Sequence, residues 1–539
     1  MLVFDETDAS ASKQSANGET AQTSQINGRG RVRLARRVVE ARRADGPDPA
    51  PTQALGLGEA RSRHGWASSS SVLQQTRESA SIHAGLGFSW RIQNPWFMET
   101  FDMSVQTLDA ASSTQTAPGS TRRSFVLTAA AVASSTLVQS KVSRAAIVQT
   151  DTAKLAPLPL PPGIRSRYVP NINGLTFHVL EAGFESKERP CLLLLHGYPE
   201  IAYGWRKVML PLASAGFHVL APDMRGYGRT AGWDDSYDGD VFPFRHTNLV
   251  RDVLGLVSAF GHRTAAVVGR DAGSAVAAYC ALIRPDVFRS VAMMTGPFAG
   301  PPALPFNTVE GATQTAAPRE ARTINDELAK LPRPRKHYQV YYTTREANDN
   351  MRNCPQGVHA FLRAYYHYKS ADWKQNKPFR LASLAAEELA KMPTYYIMDL
   401  DKGMAETVAS VMPTAAEIAA CKWLPDNELA VYTAEYERTG FQGGLQGYRR
   451  AGPRFIADLQ TFGGRTIDVP SLFIGGKSDW GVFQSPGAFE TMQKTACTRM
   501  RGAHLIDGAG HWLEQEQPEQ VTKLLVQFLE DASASDGKL

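Results

Sequence analysis

The strongest constraint on how this chain folds is an alternation that starts near Ile147, where short apolar runs are separated by stretches of helical spacing. The runs are LTFHVLEAG, CLLLLHG, HVLAPDMRG, AAVVGRD, SVAMMTG, SLFIGG and AHLIDGAG. Each is short enough for a strand and ends in Gly or a polar turn residue. Between them, Asn248 to Phe260 and Ala275 to Ile283 have helical spacing, and near the carboxyl end Val521, Leu524, Leu525, Phe528 and Leu529 fall on one helix face. Strands alternating with helices predict an α/β fold, with a mostly parallel sheet covered by helices on both faces.

The alternation stops between GPFAGPP and VPSLFIGG. Residues 299–460 are rich in Tyr, Arg and helix formers and lack strong strand runs, so a helical insertion is expected between two core parts, 147–298 and 461–539. An insertion beyond the carboxyl ends of parallel strands lies over the crevice where such sheets bind ligands. It is expected to act as a lid.

The crevice end carries the chemistry. Gly269-Arg270-Asp271-Ala272-Gly273 has the form of the G-x-S-x-G nucleophile elbow, with aspartate in place of serine. Asp271 reads either as a nucleophile or as a helix cap, a role aspartate often fills. Two partners follow in the order this topology requires: Asp479 after SLFIGG and His511 after HLIDGAG. His504 is the competing histidine, but it is read as opening its strand and pointing to the other end of the sheet. The loop after CLLLLHG offers the Tyr198 amide opposite the Ala272 amide, and two such N–H groups suit a developing oxyanion.

With these pieces in place, residues 165–535 resemble an α/β-hydrolase of the epoxide hydrolase and haloalkane dehalogenase group. The segment HGYPEIAYGWRKVMLPLASAGFHVLAPDMRGYGRT is similar to the group's H-G-x-P-E and P-D-x-R-G-Y-G stretches, and GHW and PEQV around His511 also fit. The resemblance implies an α/β-hydrolase fold with a helical cap. A carboxylate is ionised near neutral pH and suits displacement at an alkyl carbon better than ester cleavage. Attack by Asp271 is expected to form an alkyl ester, which water activated by His511 and Asp479 then hydrolyses.

An opening epoxide leaves as a basic alkoxide and needs an acidic donor. KHYQVYYTT and TGFQGGLQGYRR match two lid tyrosines of epoxide hydrolases at Tyr338 and Tyr448, while Tyr341, Tyr342, Tyr365 and Tyr366 read as lid core. A haloalkane dehalogenase with the same Asp271, Asp479 and His511 is the alternative reading. Ala272 lacks the indole that often follows the nucleophile there, and it also departs from the D-W-G of many epoxide hydrolases. A non-catalytic ligand receptor on the same fold is the reading from another class. An epoxide and water are the expected partners, with no cofactor and no metal.

The first 145 residues differ in kind. Residues 1–102 mix Ser, Gln, Gly and Arg with few apolar periods and are expected to be disordered. At about 119–145, TRRSFVL and the uncharged run after it resemble a bacterial twin-arginine export signal; such signals begin near the start of a chain, a position that a start at Met98 or Met103 would give and Met1 would not. Export to the periplasm or medium is expected if the signal is used, and a cytoplasmic location otherwise. The uncharged run is too short and too rich in Ala, Ser and Thr for a membrane span. A net charge of +5 over 539 residues, without a basic stripe, argues against a nucleic-acid surface. The five cysteines have no paired spacing, so no disulfide or metal framework is read from them.

Overall fold

The computed structural model describes residues 155–304, 321–450 and 453–536. The expected extension 1–145, its arginine pair and the first residues after Ile147 lie outside the described residues.

All seven expected runs are strands of one eight-stranded sheet, in the order β1-β2-β4-β3-β5-β6-β9-β10. In chain order these are β1 (Ile164–Ile172), β2 (Leu175–Ala182), β3 (Cys191–Leu195), β4 (His218–Pro222), β5 (Ala265–Arg270), β6 (Phe288–Met294), β9 (Ser471–Gly476) and β10 (Met500–Ile506). β1 pairs antiparallel with β2, and β2 with β4, whereas every pairing from β4 through β3, β5, β6 and β9 to β10 is parallel. Only β1 escapes the sequence pattern. As an edge strand it buries Ile164, Val169 and Ile172 and exposes Arg165, Ser166 and Arg167, so IRSRYVPNI contains no apolar run.

Residues alternate between the two faces of the sheet. Leu193, Leu195 and Val267 join one apolar cluster with helices α2 (His246–Ala259) and α3 (Ala272–Ile283). Leu192, Leu194 and Val268 join another with α1 (Arg206–Ser214) and the C-terminal helix Pro518–Asp536. Each buried leucine or valine removes enough apolar surface from water to contribute about 1.5–3 kcal/mol. Burial on both faces explains why CLLLL is continuously apolar.

Between β6 and β9 stand α4 (Tyr338–Tyr341), α5 (Gly357–Lys369), α6 (Asp426–Thr439) and α7 (Gln442–Arg449), among other helices. The helical reading of this segment needs one correction: Arg335–His337 (β7) and Ile397–Asp399 (β8) form a small antiparallel ribbon. Three residues each are too few to show a period in sequence. The insertion has its own apolar cluster, and Tyr198, Trp480 and Trp512 join it from the loops after β3, β9 and β10. It therefore packs on the carboxyl ends of the parallel strands. Among the described residues, no helix is long and apolar enough to cross a membrane.

Candidate active site

The elbow is a tight junction. Asp271 sits between β5 and α3 with φ 53° and ψ −120°, a conformation that costs a non-glycine residue about 1–3 kcal/mol. Its amide is held by the Met294 carbonyl at 3.1 Å and the Thr295 hydroxyl at 3.0 Å. A Cβ on Gly273 would lie 2.2 Å from the Leu195 carbonyl oxygen, so only glycine lets α3 start this close to β3. The Asp271 carboxylate makes no capping bond to α3, and the helix-cap reading is set aside.

The carboxylate instead meets two other loops. Its Oδ1 accepts the Tyr198 amide at 3.0 Å, and its Oδ2 lies 3.5 Å from His511 Nε2. A Cβ on Gly197 would fall 2.4 Å from the Asp271 Cβ, which explains the glycine of HGYPE. On its far side, His511 Nδ1 bonds Asp479 Oδ1 at 3.0 Å, and that oxygen also accepts the Gly481 amide at 2.7 Å. The chain of Asp271, His511 and Asp479 has 17%, 1% and 2% side-chain exposure. Burial alone pushes the Asp271 carboxyl up. The hydrogen bond and charge of His511, followed by Lys369 and Arg270, outweigh that burial and hold the group well below the usual carboxylate range.

His504 is the fifth residue of β10 and exposed, so it does not open the strand as the sequence reading has it. It stands exposed on an edge strand, and β10 pairs only with β9. Tyr338 opens α4 and Tyr448 lies near the end of α7. Their rings are 6.1 Å apart, and Tyr198 is 5.6 Å from Tyr448. Tyr338 Oη accepts from Gln339 Nε2 at 3.1 Å and donates to Gln484 Oε1 at 3.4 Å. Burial pushes both phenols well above their usual range. The Asp271 charge adds to the rise at Tyr338, and Tyr338 followed by Asp271 adds to it at Tyr448. Both hydroxyls therefore keep their protons at neutral pH and lie within the field of Asp271. Of the other lid tyrosines, Tyr342 and Tyr365 are buried and hydrogen-bonded to each other, Tyr366 donates to the Pro199 carbonyl, and Tyr341 is buried.

Two cations in the site have no signature in the sequence. Arg270, fully buried beside Asp271, pairs with Glu200, lies 3.1 Å from Glu514 Oε1 and donates to the His511 carbonyl at 3.2 Å. It joins the loops after β3, β5 and β10. Lys369 ends α5, with its ammonium 5.0 Å from the Tyr396 ring and 5.8 Å from the Trp512 ring. No side chains among the described residues are clustered to hold a metal ion.

A buried acid–base chain at the carboxyl ends of a parallel sheet, beneath a helical insertion, defines the class. Residues 190–514 match the family model described as the alpha/beta hydrolase fold, and the chain belongs to that family. Within it, the chain is similar to the epoxide hydrolases. It is 30% identical over 379 residues to epoxide hydrolase B of Mycobacterium tuberculosis, covering 67% of this chain and 96% of that one. Epoxide hydrolase A of the same organism is 33% identical over 367 residues, covering 66% and 95%. A solved epoxide hydrolase from an endophytic Streptomyces superposes with a TM-score of 0.55 at 30% identity, covering 70% of this chain and 98% of that one.

Proposed function

We propose that this chain hydrolyses an epoxide to a vicinal diol through an alkyl ester on Asp271. The observation that carries the reading is the orientation of the Asp271 carboxylate. It is turned away from α3, with Oδ1 on the Tyr198 amide and Oδ2 facing His511.

In the first step an Asp271 oxygen attacks an epoxide carbon and the ring C–O bond breaks. The alkoxide takes a proton from Tyr338 or Tyr448. In the second step His511 Nε2 removes a proton from water as the water attacks the Asp271 carboxyl carbon, and Asp479 holds the imidazole and stabilises its charge. The Tyr198 amide that already holds Oδ1, with the Ala272 amide, stabilises the tetrahedral oxyanion. Collapse expels the diol oxygen, which takes the proton left on the Asp271 carboxyl so that Asp271 is again a carboxylate, and His511 returns its proton to the tyrosinate through solvent. Asp271 keeps one oxygen from water. Ala272 offers no indole N–H for a halide, which favours an epoxide over a haloalkane.

Single-turnover hydrolysis in heavy-oxygen water tests this. The label is expected in Asp271 first and not in the first diol released, and a His511→Gln variant is expected to accumulate the ester. Label in the first diol, with no ester in that variant, would overturn the covalent route. The twin-arginine resemblance supports export of the chain, and cell fractionation after Arg122→Lys/Arg123→Lys substitution tests that reading.

A further inference from the structure

Around His511 every backbone amide is held. Gly510 N donates to Glu516 Oε2 at 3.0 Å, Trp512 N donates to Glu516 Oε1 at 3.0 Å, and His511 N donates to the Lys369 carbonyl at 3.0 Å. Glu516 Oε2 also accepts the Ala371 amide at 2.8 Å, two residues beyond the end of α5. The Trp512 indole donates to the Tyr366 carbonyl at 2.8 Å, again on α5. One carboxylate thus grips the base loop on both sides of His511 and fastens it to the same turn of the insertion that receives the His511 amide.

We propose that Glu516 is a positioning residue for the second half-reaction, setting His511 against the Asp271 ester. The proposal rests on the covalent reading above for its kinetic consequence. Burial lifts the Glu516 carboxyl to about 8 against the lowering pull of these three amides, while its two oxygens accept all three N–H groups. A glutamine of the same size keeps one acceptor oxygen and turns an NH2 group toward an amide N–H, so part of the clamp is lost without a change of volume. Attack by Asp271 on the epoxide asks little of His511. Hydrolysis of the ester needs its Nε2 aligned with water and the carboxyl carbon, and a displacement of about 1 Å can cost on the order of 100-fold in rate.

The test uses the full chain carrying Glu516→Gln, with styrene oxide as the probe. In single turnovers, ester formation is expected to stay within about threefold of wild type, while ester decay slows about 10- to 100-fold, so that alkylated protein accumulates by intact mass. Glu516→Asp keeps a carboxyl group and is expected to recover part of the decay rate. Amide hydrogen exchange on the substrate-free protein reads the clamp directly, with faster exchange expected at 510–512 and Ala371 and unchanged exchange in β3 and β5. If formation and decay fall together, or exchange at 510–512 is unchanged, Glu516 does not position the base. If exchange changes as expected but wild-type protein forms no ester, the clamp stands and the covalent reading fails.

Discussion

Lys369 is the residue whose environment least suits it. Its ammonium lies among the rings of Tyr365, Tyr395, Tyr396 and Trp512 without a carboxylate bonded to it, and burial pulls it down to about 8 against the raising charges of Asp271 and Asp479. An unfolded lysine titrates near ~10.4. Between about 8 and ~10.4 the unfolded chain therefore holds more protons, and the folded state gains stability as pH rises through that window. Below about 8 the full penalty applies, about 3 kcal/mol. Lys369→Met is expected to stabilise the protein by roughly that amount at pH 7 and by much less at pH 10.5, as measured by denaturant unfolding. The tyrosines behave oppositely. With Tyr338 and Tyr448 protonated well beyond the usual phenol range, ester formation is expected to show no loss from phenol ionisation up to about pH 10. Removing either hydroxyl, in Tyr338→Phe or Tyr448→Phe, is expected to slow ester formation by about 10²- to 10⁴-fold in stopped-flow measurements. Asp271, Asp479 and His511 were legible in the sequence because each follows a short apolar run at a turn, a local signal. Arg270, Lys369 and Glu516 left none, since their partners lie in distant loops that only the folded sheet brings together.

At the scale of elements, the central parallel strands were readable because burial on both faces leaves unbroken apolar runs, as in CLLLL and AAVV. β1 was hidden by its exposed face, and the β7–β8 ribbon by its brevity. How the insertion attaches was hidden too, because charge pairs hold it. Glu435 on α6 bonds Arg229 Nε at 2.7 Å, and Glu428 on the same helix pairs with Arg206 of α1. Arg229 and Glu435 have side-chain exposures of 10% and 5%, so neither charge has water to fall back on. Removing one partner of such a pair strands the other, at about 3–5 kcal/mol. Glu435→Gln is expected to lower stability by about 3 kcal/mol, since Arg229 is stranded while Arg438, also paired with Glu435, keeps its bond to the Gly228 carbonyl. The double variant Arg229→Met/Glu435→Leu is expected to recover much of the loss, because it buries no charge. Equal destabilisation of the single and double variants in denaturant titrations would show that volume, and not the stranded arginine, sets the cost.

For the whole molecule, the alignments bear on which part does the chemistry. About two thirds of this chain covers 96% of epoxide hydrolase B and 95% of epoxide hydrolase A of M. tuberculosis. Every strand of the sheet, the insertion and all the residues given a role in turnover fall within 155–536. The acid–base chain, the two tyrosines and the Glu516 clamp are each formed by described residues. A chain lacking residues 1–145 is expected to keep kcat/KM for styrene oxide within about twofold of the full chain, since it retains every residue given a role in turnover. Its unfolding midpoint in denaturant is expected to be unchanged as well, because all the described residues of the three apolar clusters are retained. Only the destination should differ: if the arginine pair directs export, the full chain reaches the periplasm or medium and the shortened one stays in the cytoplasm, with both equally active per molecule. A loss of turnover much beyond twofold in the shortened chain would mean that the leading segment touches the site or its insertion. That result would change the assignment of the catalytic unit, whereas a change of location alone would not.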